Sequence, residues 1–245
     1  MKRVLNALLI FSFCMMLLLG VLVYSSYQKS QKTDATLLEM NASLYQKPIQ
    51  LKEGRVEEDS KNLIFYVSSE SLELQEVVLE ILHGKTGKLN YITIPVNAQM
   101  AVETKLYQKL AAIYPEMPQY FQLSQLSNLF DENKRYAYGQ LILDDMLGMD
   151  TSYYTVITSD VEDFHSYIEA IRQQYGCDTK EKIETCFETE HPNITSNLSK
   201  KKRLEYAASY AKVTKDTLSE EVAAGETHTS SYEIHVAEFK LQIAE

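Results

Sequence analysis

The sequence predicts an α/β fold, a layered sandwich with a central mixed β-sheet flanked by helices and preceded by one N-terminal transmembrane helix. Runs of β-branched and aromatic residues alternate with stretches of helical periodicity, which is the pattern of an α/β domain. The turn-rich segment HGKTGK joins two of the first strands as a hairpin, so the sheet contains antiparallel pairs. A long apolar run near the N-terminus predicts the membrane helix.

The composition is that of a folded protein with one domain of moderate size beyond the apolar run. Hydrophobic residues make up 45% of the 245 residues, with only 8 glycines and 5 prolines, which excludes a disordered or collagen-like chain. The formal net charge is −10, from 24 basic and 34 acidic residues. This excess of acid disfavours non-specific binding to nucleic acid, and we expect no nucleic-acid partner.

The apolar run, residues 7–24, is long enough to cross the hydrocarbon core of a bilayer as a helix. Lys2 and Arg3 precede it, and the positive-inside bias keeps them in the cytoplasm. A cleaved signal peptide begins in the same way, but the exit VLVYSSYQ has no good small-x-small cleavage site, so an uncleaved signal anchor is favoured. We therefore expect a single-pass protein of the cell membrane whose C-terminal domain is extracellular.

Three regions follow from this layout. Residues 1–27 are expected to form the cytoplasmic end and the transmembrane anchor, residues 28–60 a membrane-proximal stalk, and residues 61–245 the extracytoplasmic α/β domain. The stalk is rich in Lys, Gln, Glu and Ser with isolated hydrophobic residues, a composition that does not support a packed core.

The elements of the domain follow from local patterns. β-forming runs predict strands at residues 62–67, 73–82, 88–95, 152–158 and 232–241. Apolar residues at helical spacing predict helices at residues 103–114, 124–130, 136–147, 159–175, 179–187 and 199–215. Gly148 and Gly176 follow two of these helices as left-handed caps, and Ser159 with Glu162 forms a capping-box pattern at the start of one.

Cys177 and Cys186 are the cysteines of the predicted extracytoplasmic domain. They lie on either side of most of a short predicted helix, so a local disulfide is a candidate in an oxidising compartment, with two free buried thiols as the alternative. The 5 histidines are scattered along the chain and do not complete a ligand set, so no metal site is expected.

Motifs of the common enzyme classes are absent from the sequence. It contains no GxSxG, HExxH, CxxC or dinucleotide-type glycine pattern, and no catalytic residue is predicted. Asp144 and Asp145 are adjacent, but neighbouring residues of a helix point about 100° apart. These two carboxylates are therefore expected on a solvated helix face.

Four short segments, taken in sequence order, carry a resemblance. They are TGKLNYITIPVNAQMAV (86–102), NKRYAYGQ (133–140), DDMLGMDTSYYTVITSDVEDF (144–164) and ITSNLS (194–199). In this order they resemble the LytR-CpsA-Psr (LCP) family of cell-envelope proteins. That family shows a strand ending in S-I-P-R-D, a helix start N-A-A-Y-A-Y-G-G, an L-G-I-x-I-D-Y-Y-V strand followed by D-F-x-G-F, and a late T-N-L-S. The resemblance covers residues 62–236 and extends to the layout of one anchor before an outward α/β domain.

The resemblance implies a transferase that moves an anionic glycan polymer from a polyprenyl diphosphate carrier onto peptidoglycan. Family members bind the diphosphate with Mg²⁺ and several arginines. The chemistry requires this, because a diphosphate in an apolar pocket needs bidentate guanidinium groups and a hard cation held by carboxylates. The implied partners are a polyprenyl-phosphate lipid or a cell-wall glycopolymer, besides the membrane, and Mg²⁺ is an expected cofactor only of an active protein.

This sequence departs from the family pattern where charge is needed. Val96 and Asn97 stand in place of the Arg-Asp of S-I-P-R-D, so both charges are missing. The family's early Asp falls near Glu76, which is the acidic residue that could replace it. The family's later Arg-rich stretch has no counterpart between residues 164 and 194.

The remaining arginines are interpreted one by one. Arg135, beside Lys134 at a helix start, is the best remaining phosphate contact. Arg172 lies late in its helix and is expected to be a favourable C-terminal charge, whereas Arg203 belongs to a basic cluster interpreted as a solvated face, with an anion site as the alternative. The candidate ligand-binding residues are Arg135, Lys134, Asn97 and Glu76.

Three functions are compatible with these observations. The missing charges favour a catalytically degenerate LCP-like domain, a pseudoenzyme that serves as a binding or assembly component in cell-wall glycopolymer biogenesis. The first alternative is an active glycopolymer transferase with relocated charges. The second is an unrelated single-pass membrane subunit whose ectodomain docks onto another protein. Enzymatic activity therefore stays open, with the balance against it.

Overall fold

In the computed structural model, which describes residues 49–188 and 193–244, a six-stranded mixed β-sheet forms the centre of the fold. The strands are, in chain order, β1 (Asp59–Ser68), β2 (Leu74–His83), β3 (Lys88–Ile94), β4 (Gln99–Ala101), β5 (Tyr120–Gln122), β6 (Tyr153–Ser159), β7 (Ile194–Ser196), β8 (Leu218–Val222), β9 (Gly225–Thr227) and β10 (Tyr232–Ile234). The order in the main sheet is β7-β6-β1-β2-β3-β8, and β4–β5 and β9–β10 form two small ribbons. β1 pairs with β6 and β3 with β8 in parallel, and the other pairs are antiparallel. The predicted mixed sheet is confirmed.

Helices cover both faces of this sheet. They are α1 (Thr104–Ala111), α2 (Leu126–Leu129), α3 (Arg135–Leu147), α4 (Phe164–Tyr175), α5 (Lys180–Glu188), α6 (Lys200–Arg203), α7 (Ala207–Tyr210) and α8 (Val236–Gln242). On one face Phe65 contacts Tyr136 of α3 with ring centroids 5.0 Å apart. On the other face Tyr66 contacts Phe164 and Tyr167 of α4 at 6.4 and 6.0 Å. Since successive residues of a strand point to opposite faces, α3 and α4 lie on opposite sides of β1.

Most predicted elements are confirmed with small shifts of their ends. The hairpin at HGKTGK joins β2 to β3, and the first five predicted helices correspond to α1 through α5. Gly148 and Gly176 end α3 and α4 with φ angles of 61° and 56°, the left-handed conformation that glycine adopts at low cost.

The predicted start of the helix at residues 159–175 is wrong. Ser159 is the last residue of β6, and α4 begins at Phe164 after a short bend. Asp163 is the N-cap, and its carboxylate accepts a hydrogen bond from the backbone N–H of Ser166 at 2.6 Å. The Ser159 and Glu162 pattern is therefore not a capping box, because pairing with β1 holds Ser159 in the sheet.

Two predictions in the last part of the chain are also wrong. The helix predicted at residues 199–215 is divided into α6, a 3₁₀ turn (Leu204–Tyr206) and α7. Tyr206 lies at this break, stacked on Tyr153 at 6.0 Å, and its hydroxyl accepts a hydrogen bond from the N–H of Glu57 at 2.9 Å. The strand predicted at residues 232–241 ends after β10, and α8 then buries Phe239 and leaves Leu241 69% exposed.

The anchor predicted at residues 1–27 lies outside the described residues, as does the stalk up to residue 48. No helix among the described residues is both long and apolar enough to span a bilayer. The last part of the predicted stalk, residues 50–58, runs along the domain without regular secondary structure, and we name it the strap. Lys52 of the strap binds Asp144 and lies 2.6 Å from an oxygen of Asp150, and Arg55 lies 2.5 Å from the other oxygen of Asp150.

The position of Asp144 corrects the expectation of a solvated helix face. Its side chain is only 6% exposed and accepts hydrogen bonds from the backbone N–H and the hydroxyl of Thr151 at 3.2 and 3.0 Å. Lys52 completes its partners. Burial raises the pKa of Asp144, whereas the Lys52 ammonium lowers it. Lys52 of the strap therefore offsets part of the free-energy cost of removing this carboxylate from water.

Candidate functional site

A cavity of about 1020 Å³ lies between the sheet face that carries Tyr66 and the helices α4 to α7. Aliphatic side chains from both layers form much of its wall, among them Ile64, Ile157, Ile168, Ile171 and Ile183. Concave, largely apolar spaces of this size with a few polar groups are the usual sites of small-molecule binding. This cavity is the candidate functional site.

A row of polar side chains crosses the sheet at the floor of the cavity. Tyr153 of β6, Asn62 of β1, Glu80 of β2 and Tyr91 of β3 are register partners, each beside the next, and all four are buried and line the cavity. Residues that are paired directly across strands project to the same face. We name these four residues the polar row. They lie at positions where a buried sheet face usually carries aliphatic side chains.

Glu80 lies at the centre of the polar row and is 5% exposed. The hydroxyl of Tyr210 donates to its Oε1 at 2.6 Å, and Nδ2 of Asn62 donates to the same oxygen at 3.1 Å. Burial raises the pKa of Glu80, and the hydrogen bonds from Tyr210, Asn62 and Tyr91 and the charge of Arg172 lower it less than burial raises it. The fold therefore favours the neutral form of this carboxyl group more than water does.

We expect the free energy of unfolding of Glu80→Gln, measured relative to that of the wild type, to increase with pH. Above the ordinary glutamate pKa of 4.5 the unfolded chain loses the proton before the folded chain does, so rising pH favours unfolding of the wild type until the folded pKa is passed. Glutamine has no proton to lose, and each pKa unit of difference corresponds to about 1.4 kcal/mol. Urea unfolding of both proteins at pH 4 and pH 8 measures this difference.

The control for this experiment is Glu58→Gln, a change of the same chemistry at a side chain that is 61% exposed. Its free energy of unfolding is expected to stay within about 0.5 kcal/mol of the wild type at both pH values. A gain for Glu80→Gln that decreases between pH 4 and pH 8 would contradict the prediction.

Basic side chains line the same cavity as the polar row. Arg172 in the last turn of α4 and Arg203 of α6 line the cavity, together with Lys200 and Lys215. The charge of Arg172 acts on the carboxyl of Glu80 by lowering its pKa. Nε of Arg203 is buried and has no hydrogen-bond partner in the described part of the chain. A buried donor without an acceptor is costly, so this arginine is suited to a ligand that brings oxygen atoms.

Cys177 and Cys186 also line the cavity as free thiols, and Sγ of Cys177 donates a hydrogen bond to Sγ of Cys186 at 3.2 Å. Burial, with Cys177 beside it, raises the pKa of the Cys186 thiol to about 12, which makes this thiol a weak nucleophile. The fold thus brings the two predicted partners together, and the disulfide itself stays a prediction.

Two of the sequence-predicted ligand residues have partners within the protein. Glu76 accepts hydrogen bonds from the N–H of Phe164 at 3.3 Å and from the hydroxyl of Thr93 at 3.2 Å, so it fixes the start of α4 on the sheet. Asn97 lies in the turn after β3, where its backbone carbonyl oxygen accepts a hydrogen bond from the backbone N–H of Tyr232 at 3.0 Å. Neither residue lines the cavity.

The other two predicted ligand residues lie at the start of α3. Lys134 precedes the helix and is exposed, and Arg135 is its first residue. Because α3 packs on the opposite face of β1 from α4, neither side chain lines the cavity. Nε of Arg135 is buried and without a hydrogen-bond partner among the described residues. Contact of these four residues with a ligand stays a prediction.

The cavity residues that the sequence interpretation did not connect with a ligand are Arg172 and Glu80, whereas Arg203 was given an anion site as the alternative to a solvated face. The signal for Arg203 is the run of residues 200–203, which places basic side chains where the helix dipole disfavours them. A signal existed also for Glu80, since it interrupts the apolar part of LQEVVLEILH, a strand buried on both faces. The sequence contains no such signal for Arg172, because a basic residue in the last turn of a helix is already favoured by the helix dipole.

A possible set of metal ligands lies outside the cavity on the hairpin β9–β10. Oxygen and nitrogen atoms of Glu226, His228 and Glu233 lie within 4.8 Å of one another, and all three side chains are exposed. His228 Nε2 is 3.2 Å from Glu233 Oε2. Since an exposed imidazole between two carboxylates is accounted for by their mutual attraction, we assign no metal to this group.

Comparison of this fold with solved structures identifies related folds at low sequence identity. The crystal structure of TagV from B. subtilis superposes with a TM-score of 0.55 and 8% identity over 76% of this chain and 95% of that chain. The protein gbs0355 from Streptococcus agalactiae superposes with a TM-score of 0.51 and 10% identity over 76% of this chain and 86% of that chain. No family model matches the sequence, and no curated protein matches it. At these identities the likeness concerns the fold alone.

Proposed function

Because the chain has a fold of the LytR-CpsA-Psr type, we propose that it acts in cell-wall glycopolymer biogenesis, as a membrane-anchored extracytoplasmic component that binds a phosphate-bearing envelope precursor. The observation that carries this proposal is the cavity, where isoleucine side chains and the cations Arg172 and Arg203 line one space. An amphiphile such as a polyprenyl phosphate matches this combination, since phosphate binds arginine bidentately and hydrocarbon packs on aliphatic walls.

We propose binding or assembly, and not transfer, as the role of this domain. A transferase of the resembling kind needs a hard cation, which takes several oxygen ligands from carboxylates. Among the described residues, the carboxylates at the cavity are Glu80, Glu169 and Asp178. Glu80 already accepts hydrogen bonds from Tyr210, Asn62 and Tyr91, and the other two carboxylates are exposed. These residues do not fit a Mg²⁺ site.

Calorimetric titration of the full chain in detergent with farnesyl diphosphate tests the proposal. Arg172→Ala and Arg203→Ala are each expected to weaken binding about tenfold or more, because each removes a charge-assisted contact to the diphosphate. Lys85→Ala is the control, since Lys85 is 77% exposed and does not line the cavity. Absence of binding by the wild type, or equal affinity of all variants, would contradict the proposal.

Two further measurements separate the alternatives. If Arg135→Ala weakens binding while Arg172→Ala and Arg203→Ala do not, the ligand site lies at the start of α3 as the sequence predicted. Cleavage of a lipid-linked diphosphate at its P–O–P bridge, with the lipid monophosphate as leaving group and the glycosyl phosphate joined to a hydroxyl acceptor, would establish an active transferase with relocated charges if it requires Mg²⁺ and Arg172. The cations at the cavity are the observation that supports this second candidate.

A further inference from the structure

Acidic and basic side chains of the domain are concentrated in different regions. Residues 199–215, which include α6 and α7 and which we name the basic segment, hold six basic residues and one acidic residue, a net charge of +5 in a chain whose total is −10. Around the β1–β2 turn and in the loop before α4, residues 68–76 and 159–163 hold six acidic residues and no basic one. These two acidic stretches are adjacent, because the N–H of Ser69 donates to the carbonyl oxygen of Ser159 at 3.2 Å.

The basic segment lies at the end of the sheet where the strap enters. Nζ of Lys212 donates to the carbonyl oxygen of Gly84 in the β2–β3 turn at 2.8 Å, and Nζ of Lys202 donates to the carbonyl oxygen of Gly54 in the strap at 3.3 Å. The strap continues into Asp59, the first residue of β1, which pairs with the last residue of β2. The acidic stretches follow the last residues of β1 and β6, so they lie at the opposite end of the sheet.

Three exposed lysines of the basic segment, Lys201, Lys202 and Lys212, are named the basic surface. Within residues 49–188 and 193–244, the ion pairs of lysine and arginine with carboxylates include none of these three. None of them lines the cavity, so their charges are separate from those of the candidate ligand site. A group of like charges that the protein itself does not neutralise attracts anions from outside the chain.

We propose that the basic surface docks on the anionic phospholipid headgroups of the membrane that holds the chain. Lysines close to an anionic leaflet are attracted to it within about one Debye length, roughly 8 Å at physiological salt. The same leaflet repels the acidic stretches, so the charge distribution favours one orientation, with the end where β1 begins toward the lipid. A tether makes such a contact intramolecular, so a few charges suffice. The inference rests on the proposed function for the anchor and goes beyond it by assigning a lipid contact to the folded domain.

Lysine acetylation of the full chain in lipid nanodiscs tests the inference. Discs of phosphatidylcholine are compared with discs of an equimolar mixture of phosphatidylcholine and phosphatidylglycerol, and modification by N-hydroxysuccinimide acetate is followed by peptide mass spectrometry. Each lysine of the basic surface is expected to react at least about threefold more slowly in the anionic discs. The difference is expected to vanish in about 1 M salt, where the Debye length is about 3 Å.

Lys134, which is exposed, is the internal control of this measurement. It precedes α3, and the strap binds Asp144 near the other end of that helix. Ten residues of helix separate these two positions by about 15 Å, more than one Debye length. The reactivity of Lys134 is therefore expected to be the same in both kinds of disc.

Two variants of Lys201 test whether charge is the cause. Lys201→Glu reverses the charge at an exposed position and is expected to reduce the protection of Lys202 and Lys212 in the anionic discs at least about twofold. Lys201→Arg is the matched control, since it keeps the charge and is expected to keep the protection. Equal protection of the two lysines in both variants would contradict a contact that depends on charge.

The outcomes separate this inference from the proposed function. Equal reactivity of the basic surface in the two kinds of disc overturns the docking surface, leaves the anchor intact and assigns these lysines to a soluble acidic partner. Protection that persists in high salt also overturns it. If the full chain does not enter phosphatidylcholine discs, the proposed anchor fails. Flotation of the chain with phosphatidylglycerol vesicles then decides the docking surface alone, where binding at low salt supports it and no binding overturns it.

Discussion

Replacing Phe164 by alanine lowers the free energy of unfolding by about 3–5 kcal/mol, the cost of removing a fully buried aromatic ring and leaving a cavity. The Phe164 side chain is 0% exposed. Its ring contacts Tyr66 of β1 and Tyr91 of β3, with centroids 6.4 and 5.5 Å away, and so joins the first turn of α4 to two strands. Because the chain has no tryptophan, the measurement is urea unfolding followed by far-UV circular dichroism.

Two variants bracket this result. Phe164→Leu keeps most of the buried volume and is expected to cost less than half as much as the alanine variant. Ile113→Ala removes an apolar side chain that is 50% exposed, and a loss below about 1 kcal/mol is expected. If Phe164→Ala lost no more stability than Ile113→Ala, α4 would not depend on this ring for its position on the sheet.

Lys52→Met is expected to lower the free energy of unfolding by about 2–4 kcal/mol, a little less than the roughly 3–5 kcal/mol for removing one partner of a fully buried ion pair, because Lys52 is 28% exposed. The change leaves Asp144, 6% exposed, without its cation, and only the two hydrogen bonds from Thr151 remain. Lys85→Met is the matched control. Its ammonium is 3.0 Å from Glu58, but Lys85 is 77% exposed, so a clearly smaller loss than that of Lys52→Met is expected.

The double variant Lys52→Met/Asp144→Asn separates the ion pair from packing of the strap. Asparagine is uncharged and its side-chain oxygen can still accept the backbone N–H of Thr151, so the unpaired buried charge is removed and most of the lost stability is expected to return. A double variant as unstable as Lys52→Met alone would mean that the methylene stem and position of Lys52 matter more than its charge. In that case the strap would stabilise the domain through contacts such as those of buried Gly54.

The sequence predicted the elements whose signals are local. The run NLIFYV and the hairpin turn HGKTGK are enough for β1, β2 and β3, since alternation and turn residues act within a few positions. Residues 199–215 have equally local helical spacing, but Tyr206 leaves that pattern to stack on Tyr153 and to bind Glu57. Both partners are distant in sequence, so no local pattern reports them.

The candidate site was predictable only in part for the same reason. The scarcity of arginine directed attention to each one, but which of them shares a cavity depends on where α4 and α6 lie over the sheet. The resemblance led to Arg135, whose helix packs on the opposite face. Glu80 acquires its role from Asn62 and Tyr91, its register partners, and strand register is not visible in a single strand.

The order of strands in the sheet also determines when the cavity can form during folding. β1, β2 and β3 are joined by short turns, whereas the parallel pairs bring Asn62 to Tyr153 and Leu89 to Leu218, far apart in the chain. Closing these long loops costs entropy before any contact rewards it, so such pairs form late. The helices over the cavity lie between β6 and β8 in the chain, so we expect the site to be completed late in folding. A ligand bound there is then expected to slow unfolding and to leave the folding rate nearly unchanged.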